Sequence, residues 1–351
     1  MSSAIFSATK SRFALAALAA GIAYVPFAQA EGVVNIYSYR QPALIQPALD
    51  AFTAETGIKT EILFLDKGLE DRIAAEGSNS PADVILTVDV ARLTAVKDKG
   101  VTQALDDEIV NANLPEEYRD PEGHWFGITK RARVVYASKE RVGDEPITYA
   151  DLADEKWKGK ICMRSGQHDY NLALFAAAIA HWGEEKTEDW LTGLKNNLAR
   201  KPDGGDRPQA KAIAAGECDI AIGNTYYVGL MLTNDKDPEE KAAAEAIKIL
   251  FPTFENGGTH VNVSGVALAK HAPNRDNAVK LIQFLSSPKA QQIQAEQSYE
   301  YPVQPGLEAS ATVQSFGTLN ADTLPLAEIA RNRKAASEMV DRVGVDDGPA
   351  S

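Results

Sequence analysis

Tyr226 and Tyr227, in the stretch CDIAIGNTYYVGLML, can act together only if the backbone turns helical beneath them. Consecutive side chains on a strand point to opposite faces, whereas on the first turn of a helix they diverge by about 100°. The flanking residues favour the helix. Cys218 to Ile222 alternate as a buried strand, Gly223-Asn224 break it, and Asn224 or Thr225 can cap a helix through Leu230 and Met231. Both phenols then sit at a helix N-terminus, where the dipole favours negative charge. Two chemistries are open to them: neutral phenols stack and hydrogen-bond, and ionised phenols are hard anionic oxygen donors.

Two further junctions have the same form. GKICMRSGQHDYNLALFAAAIAHWG reads as a strand over Lys160 to Arg164, a Ser-Gly-Gln turn, and a helix whose apolar stripe begins at Leu172, with Tyr170 at the break. VVNIYSYRQPALIQPALDAF alternates as a strand through Tyr37 and Tyr39 and then opens a helix with Pro42 near its first position, leaving Tyr39 and Arg40 at the break. Ligands of α/β sheets bind beyond the carboxyl ends of strands. Three tyrosine-bearing junctions therefore point to one shared site.

Charge decides what such a site could hold. Ionising a phenol of pKa near 10 at pH 7 costs roughly 4 kcal/mol. Two phenolates about 3 Å apart repel by roughly another 5 kcal/mol at an effective dielectric of 20. A sugar or amino acid cannot offset that, but a hard trivalent cation can, and ferric iron is the abundant candidate. Three tyrosinates would neutralise its charge. If the tyrosines stay neutral, a sugar or polyamine bound by stacking and hydrogen bonds is the alternative.

The surrounding elements must bring these junctions together. Short apolar strands at Glu61 to Leu65, Ala82 to Val88, Ala132 to Ser138, Ile247 to Pro252 and His260 to Ala269 alternate with helical patterns, an α/β plan. About 320 residues would follow a cleaved leader, more than one core usually supports, so two lobes are expected. With no Gly/Ser linker, crossing strands should join them, the best candidates being residues 128–138 and 259–273. The expected division is a leader at 1–30, a first lobe at 31–131, a second at 132–262, and a return to the first with C-terminal helices at 263–351. Leu326 to Val343 reads as an amphipathic closing helix.

Lys10 and Arg12 precede an apolar run from Phe13 to Val25, and Ala28-Gln29-Ala30 is a small-x-small cleavage site, the pattern of a secretory signal peptide. The mature chain is expected to begin at Glu31, in the periplasm where the source is Gram-negative, with no membrane insertion after cleavage. The formal net charge of −13 becomes −15 once the leader, which holds two cations and no acids, is gone. That balance argues against nucleic acid as a partner. Cys162 and Cys218 lie in the strands leading to two of the tyrosine junctions, and an oxidising compartment would let them form a disulfide. Catalytic motifs such as GxSxG, HExxH, CxxC and the P-loop are absent, and His124, His168, His181, His260 and His271 lack zinc-site spacing. A ligand-capturing protein, not an enzyme, is the expectation.

The chain resembles the periplasmic ferric-iron-binding proteins of iron(III) ABC importers, which have the two-lobed class II (type II) solute-binding fold. The resemblance extends over the whole mature chain, and the matching stretches are VNIYSYR, WFGITKRARVVYAS, GKICMRSGQHDYN, GECDIAIGNTYY and GTHVNVSGVALAKHAPN. The resemblance implies Fe(III) ligation by Tyr170, Tyr226 and Tyr227, a monomer, and delivery to an inner-membrane ABC permease.

The first junction departs from the family pattern. Relatives often carry a histidine, or a His-Tyr pair, after the arginine of the YSxR stretch, where this chain has Gln41-Pro42. Tyr39 is the expected replacement, giving Tyr39, Tyr170, Tyr226 and Tyr227 as the metal ligands. Some relatives also place an arginine shortly after the tyrosine pair, where this chain has Leu230 and its neighbours. Arg40, Arg131, Arg133 and Arg164 are the candidates for compensating tyrosinate charge or holding a synergistic anion such as carbonate, with Arg131 the first choice and Arg40 beside it. His168 is read as a turn residue.

Overall fold

The computed structural model describes residue 1 and residues 32–349, so the expected leader falls outside it apart from its first residue. The described residues form strands β1 (Val33–Ser38), β2 (Lys59–Phe64), β3 (Val84–Thr87), β4 (Phe126–Ser138), β5 (Ile161–Cys162), β6 (Ile220–Asn224), β7 (Ile247–Leu250), β8 (Val261–Leu268) and β9 (Tyr301–Pro302), interleaved with helices. The sheet order is β2-β1-β3-β8-β4-β6-β5, with β7 and β9 also pairing along β4. β1 runs parallel to β2 and β3, and β5 parallel to β6, while β8 and β4 enter antiparallel. This is the expected α/β fold. Helices cover both faces, so β8 is buried at every position, including its polar Asn262 and Ser264.

β4 places the site. Residues Phe126 to Ala132 pair with β8, and Arg133 to Ala137 pair with β6, so the strand changes partners between two residues that flank the middle of the sheet. Arg131 and Arg133 lie on one face of β4, one on each side of that change. The second expected crossing, 259–273, contains β8, which pairs with β3 and with the first part of β4, while His260, just before it, accepts from the Arg133 N–H and donates its own N–H to the Tyr149 hydroxyl. One apolar cluster, with Ile85, Leu93, Phe175, Ile222 and Met339, runs across both halves, and each half adds a cluster of its own. One is built on Val34, Ile36, Leu86, Phe126 and Val266, the other on Val134, Tyr136, Ile213, Ala221 and Met231.

Cys162 and Cys218 are disulfide-bonded, with Cα atoms 5.9 Å apart, as their flanking positions implied. The bond joins the approach to Tyr170 to the approach to the tyrosine pair. The closing helix, Leu326–Val343, ends at Gly344 in the left-handed region (φ 69°). It buries Leu326, Ile329, Ala336, Met339 and Val340 and packs along the helix Asp169–Trp182. The tail thus packs on the helix that carries Tyr170 and also on the helix Val90–Asp98, while Phe316, Leu319 and Ala321 pack on the apolar cluster around Val134 and Met231.

Candidate metal centre

Strand β6 runs without a break through Gly223 and Asn224, and the helix Thr225–Leu232 starts at the next residue. The expected interruption at Gly223 is absent because this glycine serves packing instead: a Cβ there would lie 2.2 Å from the ring of buried Tyr136. Asn224 stands at the N-cap but its side chain makes no capping bond, since its Oδ1 accepts from Arg133 at 3.1 Å. Tyr226 and Tyr227 occupy the first helical turn with ring centroids 4.2 Å apart.

Tyr170 sits at the start of helix Asp169–Trp182. The His168 side chain is the N-cap, its Nδ1 accepting from the Tyr170 N–H at 3.2 Å. Burial, with Arg164 and Arg133 adding, lowers the His168 pKa to about 3, which keeps Nδ1 free to accept. The preceding turn is held by the tail: Asp346 accepts from the Ser165 hydroxyl at 2.5 Å and from the Gly166 N–H at 2.6 Å. So oriented, the Tyr170 hydroxyl lies 3.2 Å from that of Tyr226.

Three phenols therefore converge from two helix N-termini. Burial raises the Tyr226 pKa well above the ordinary phenol value, with neighbouring Tyr170 and Tyr227 adding to it. Tyr227 is raised by burial, then by Tyr170 and Asp206. Without a cation these two groups are neutral, and only a strongly bound positive charge would draw them to the anion. Among the described residues no group of three or more His, Cys, Asp or Glu could hold a metal. The phenols are the concentrated hard-donor set.

Beneath them lies a buried ionic base. Asp206 accepts from Arg133 at 2.6 Å, from Arg164 at 3.2 Å and from the Asn224 N–H at 2.9 Å. Burial alone would raise this carboxyl, but the two guanidinium groups outweigh it and hold its pKa below the usual range. The guanidinium carbons of Arg131, Arg133 and Arg164 stand 5.4, 5.9 and 5.3 Å from the centroid of the Tyr170 ring. Developing negative charge on that ring would be met by three cations.

The remaining expected residues are placed differently. Tyr39 shares a cavity of about 210 Å³ with Tyr170, Tyr226, Tyr227, Arg92 and Arg164. Its hydroxyl, however, accepts from the Leu69 N–H at 2.8 Å and donates to Glu70. Burial, then the Glu70 bond, pushes its pKa up to about 12. Arg40 is absorbed by the sheet, donating to Glu300 at 2.6 Å and Ser264 at 2.7 Å with 1% exposure. Arg131 donates to the same Ser264 at 3.1 Å and otherwise faces Tyr170.

Two contributors were not anticipated. Arg92 lies 4.0 Å over the Tyr39 ring and pairs with Asp169 at 2.7 Å, linking the Tyr39 wall to the residue before Tyr170. Arg207 stands 5.7 Å from the Tyr227 ring. Its position, one residue after Asp206 at a helix start, was the only hint in the sequence.

Comparison with known proteins places this geometry. Residues 79–321 match the family described as bacterial extracellular solute-binding protein. Iron uptake protein A1 of Synechocystis is 44% identical over 328 residues, covering 93% of this chain and 90% of the relative. The apo ferric ion-binding protein A of Pasteurella haemolytica superposes with TM-score 0.85 at 53% identity, covering 90% of this chain and 98% of that one. A Trichodesmium protein solved in complex with iron and citrate ligands superposes with TM-score 0.84 at 40% identity, covering 89% and 99%. The fold is the type II binding-protein fold, and the chain belongs to the bacterial extracellular solute-binding protein family.

Proposed function

We propose that this protein captures ferric iron in the periplasm and delivers it to an inner-membrane ABC permease. Tyr170, Tyr226 and Tyr227 bind the cation as tyrosinates. The observation that carries this reading is the convergence of the three phenols, with Tyr170 and Tyr226 hydroxyls 3.2 Å apart over a buried arginine base. Three tyrosinates balance the charge of Fe(III) itself. The names of the relatives, an iron uptake protein and a ferric ion-binding protein, support the same cargo.

In this reading the halves of the sheet are two lobes, divided near residues 131/132 and 262/263, with the cavity between them. Tyr39 is a wall rather than a fourth ligand, because its hydroxyl is engaged by Leu69 and Glu70. Carbonate or solvent completes the coordination, and the protein acts as a monomer without catalysing a reaction.

The test is the visible spectrum of purified protein. Fe(III) should produce a tyrosinate-to-iron charge-transfer band that a chelator removes, while maltose and spermidine leave the protein colourless and unbound. A colourless protein that binds a sugar or polyamine instead would overturn the proposal.

A further inference from the structure

A second, smaller cavity adjoins the first and shares only Tyr170 with it. It is lined by Arg131, Arg133, Tyr170, Asn224, His260 and Asn262, and its volume of about 10 Å³ leaves room for a single atom. Three polar atoms of its lining are buried and have no partner: Arg131 Nη2, Asn224 Nδ2 and His260 Nδ1. Each belongs to a side chain only 2% exposed.

Chemistry fixes what these atoms offer. Arg131 Nη2 is a donor in every state. The Asn224 amide must turn its oxygen to Arg133, a group that only donates, so the free end in the cavity is the NH₂. His260 is neutral, since burial with Arg133 and Arg131 lowers its pKa to about 3, and its Nδ1 donates in one tautomer. The polar atoms of Asn262 are already used, by the Val90 and Val263 N–H groups and by Asp89. A water molecule placed here could accept from Arg131 and Asn224 and give one proton to His260 in the other tautomer, leaving its second proton without a partner, whereas a halide takes all three groups as donors.

Charge points the same way. Arg40 is paired with Glu300, and Arg133 and Arg164 share Asp206. Among the described residues, Arg131 is the arginine of this cluster with no carboxylate in ion-pair contact; its one hydrogen bond is to the Ser264 hydroxyl. Its compensating carboxylates, Asp89 and Glu300, act on it only from beyond contact distance, which leaves its free Nη2 to be met by an anion. Three convergent donors, a guanidinium with no carboxylate in contact and single-atom volume together favour a halide.

We propose that this cavity is a binding site for one monatomic anion, chloride under physiological conditions, held by Arg131, Asn224 and His260. It is too small for carbonate, citrate or phosphate. The site belongs to the iron-free protein and stands whatever ligand the tyrosine cavity takes.

Iron-free protein crystallised with sodium bromide in place of chloride should give an anomalous peak within hydrogen-bonding distance of Arg131 and Asn224. In solution, replacing gluconate by chloride at constant ionic strength should raise Tm by about 2–4 °C in a saturable way. Asn224→Asp keeps the acceptor for Arg133 and puts a carboxylate oxygen where the amide donor stood. This variant should lose the chloride response and melt in gluconate at least as high as the native protein does in chloride. Ordered water with no anomalous peak, a peak only at molar bromide, or an undiminished chloride response in Asn224→Asp would each overturn the proposal.

Discussion

The first strand-to-helix junction and the other two start from the same residue type in the same local position, yet their phenol oxygens end in different surroundings. At the Tyr170 and Tyr226–Tyr227 junctions the phenol oxygens face one another, over a base supplied by Arg133, Arg164 and Asp206. At the first junction the Tyr39 oxygen is claimed by a backbone N–H and a carboxylate, and its ring is covered by Arg92. A phenol becomes a metal donor only where nothing else competes for its oxygen and cations lie close enough to favour the anion. Tyr39 meets the second condition through Arg92 and fails the first.

The comparison is broken most directly at the paired junctions. Tyr226→Phe or Tyr227→Phe keeps the ring and removes the donor, and each should weaken Fe(III) binding about a thousandfold, roughly 4 kcal/mol, in chelator competition. If both retain native affinity and colour, the pair does not bind the metal. Asp206→Asn should come next. It leaves Arg133 and Arg164 with a neutral acceptor and should lower unfolding free energy by about 2–3 kcal/mol in urea titration. Unchanged stability would mean the ionic base does not hold the junctions.

Tyr39→Phe should have a much smaller effect, less than about fivefold on affinity with no shift of the absorption maximum. A large loss would make Tyr39 a ligand after all and require its hydroxyl to leave Glu70 on loading. In that case the effect should depend strongly on Arg131, which a double-mutant cycle would detect. The smallest effect lies in the alkaline limb of iron-free stability. A phenol whose folded pKa is raised from 10.0 to about 12 stabilises the fold fully below pH 10, and that contribution is lost as pH rises toward 12. Tyr39→Phe should therefore flatten the fall of Tm between those pH values. An unaltered slope would show that Tyr39 is not buried against Glu70.

What the sequence made legible follows from how local each cause is. The helix Leu326–Val343 was readable to its end residues because its apolar period and terminal Gly344 are contiguous. Tyr170, Tyr226 and Tyr227 were readable because strand-to-helix breaks leave a local mark, and the disulfide because both cysteines flank them. The fate of Tyr39 was not, since Glu70 lies 31 residues away and its carboxylate had nothing to distinguish it from other surface acids. The arginine pairings were hidden for the same reason, with Arg133 and Asp206 73 residues apart and Arg92 and Asp169 77 apart. Arg131, favoured as the compensating cation, does face Tyr170, but only the three-dimensional arrangement reveals that its carboxylates, Asp89 and Glu300, stand beyond ion-pair contact while Arg40 touches Glu300.

The hold that Asp346 takes on Ser165 and Gly166 spans about 180 residues of chain. Synthesis and export deliver a polypeptide N-terminus first, so all three tyrosines emerge long before the residue that fixes the turn presenting Tyr170. On the proposed ligand set, the donors are thus assembled late in biogenesis, after both halves of the sheet have had time to form. A chain stalled or clipped before residue 346 would carry every donor and still present Tyr170 on an untethered turn, so a tail truncation should slow the appearance of iron-binding competence more than it slows the formation of secondary structure.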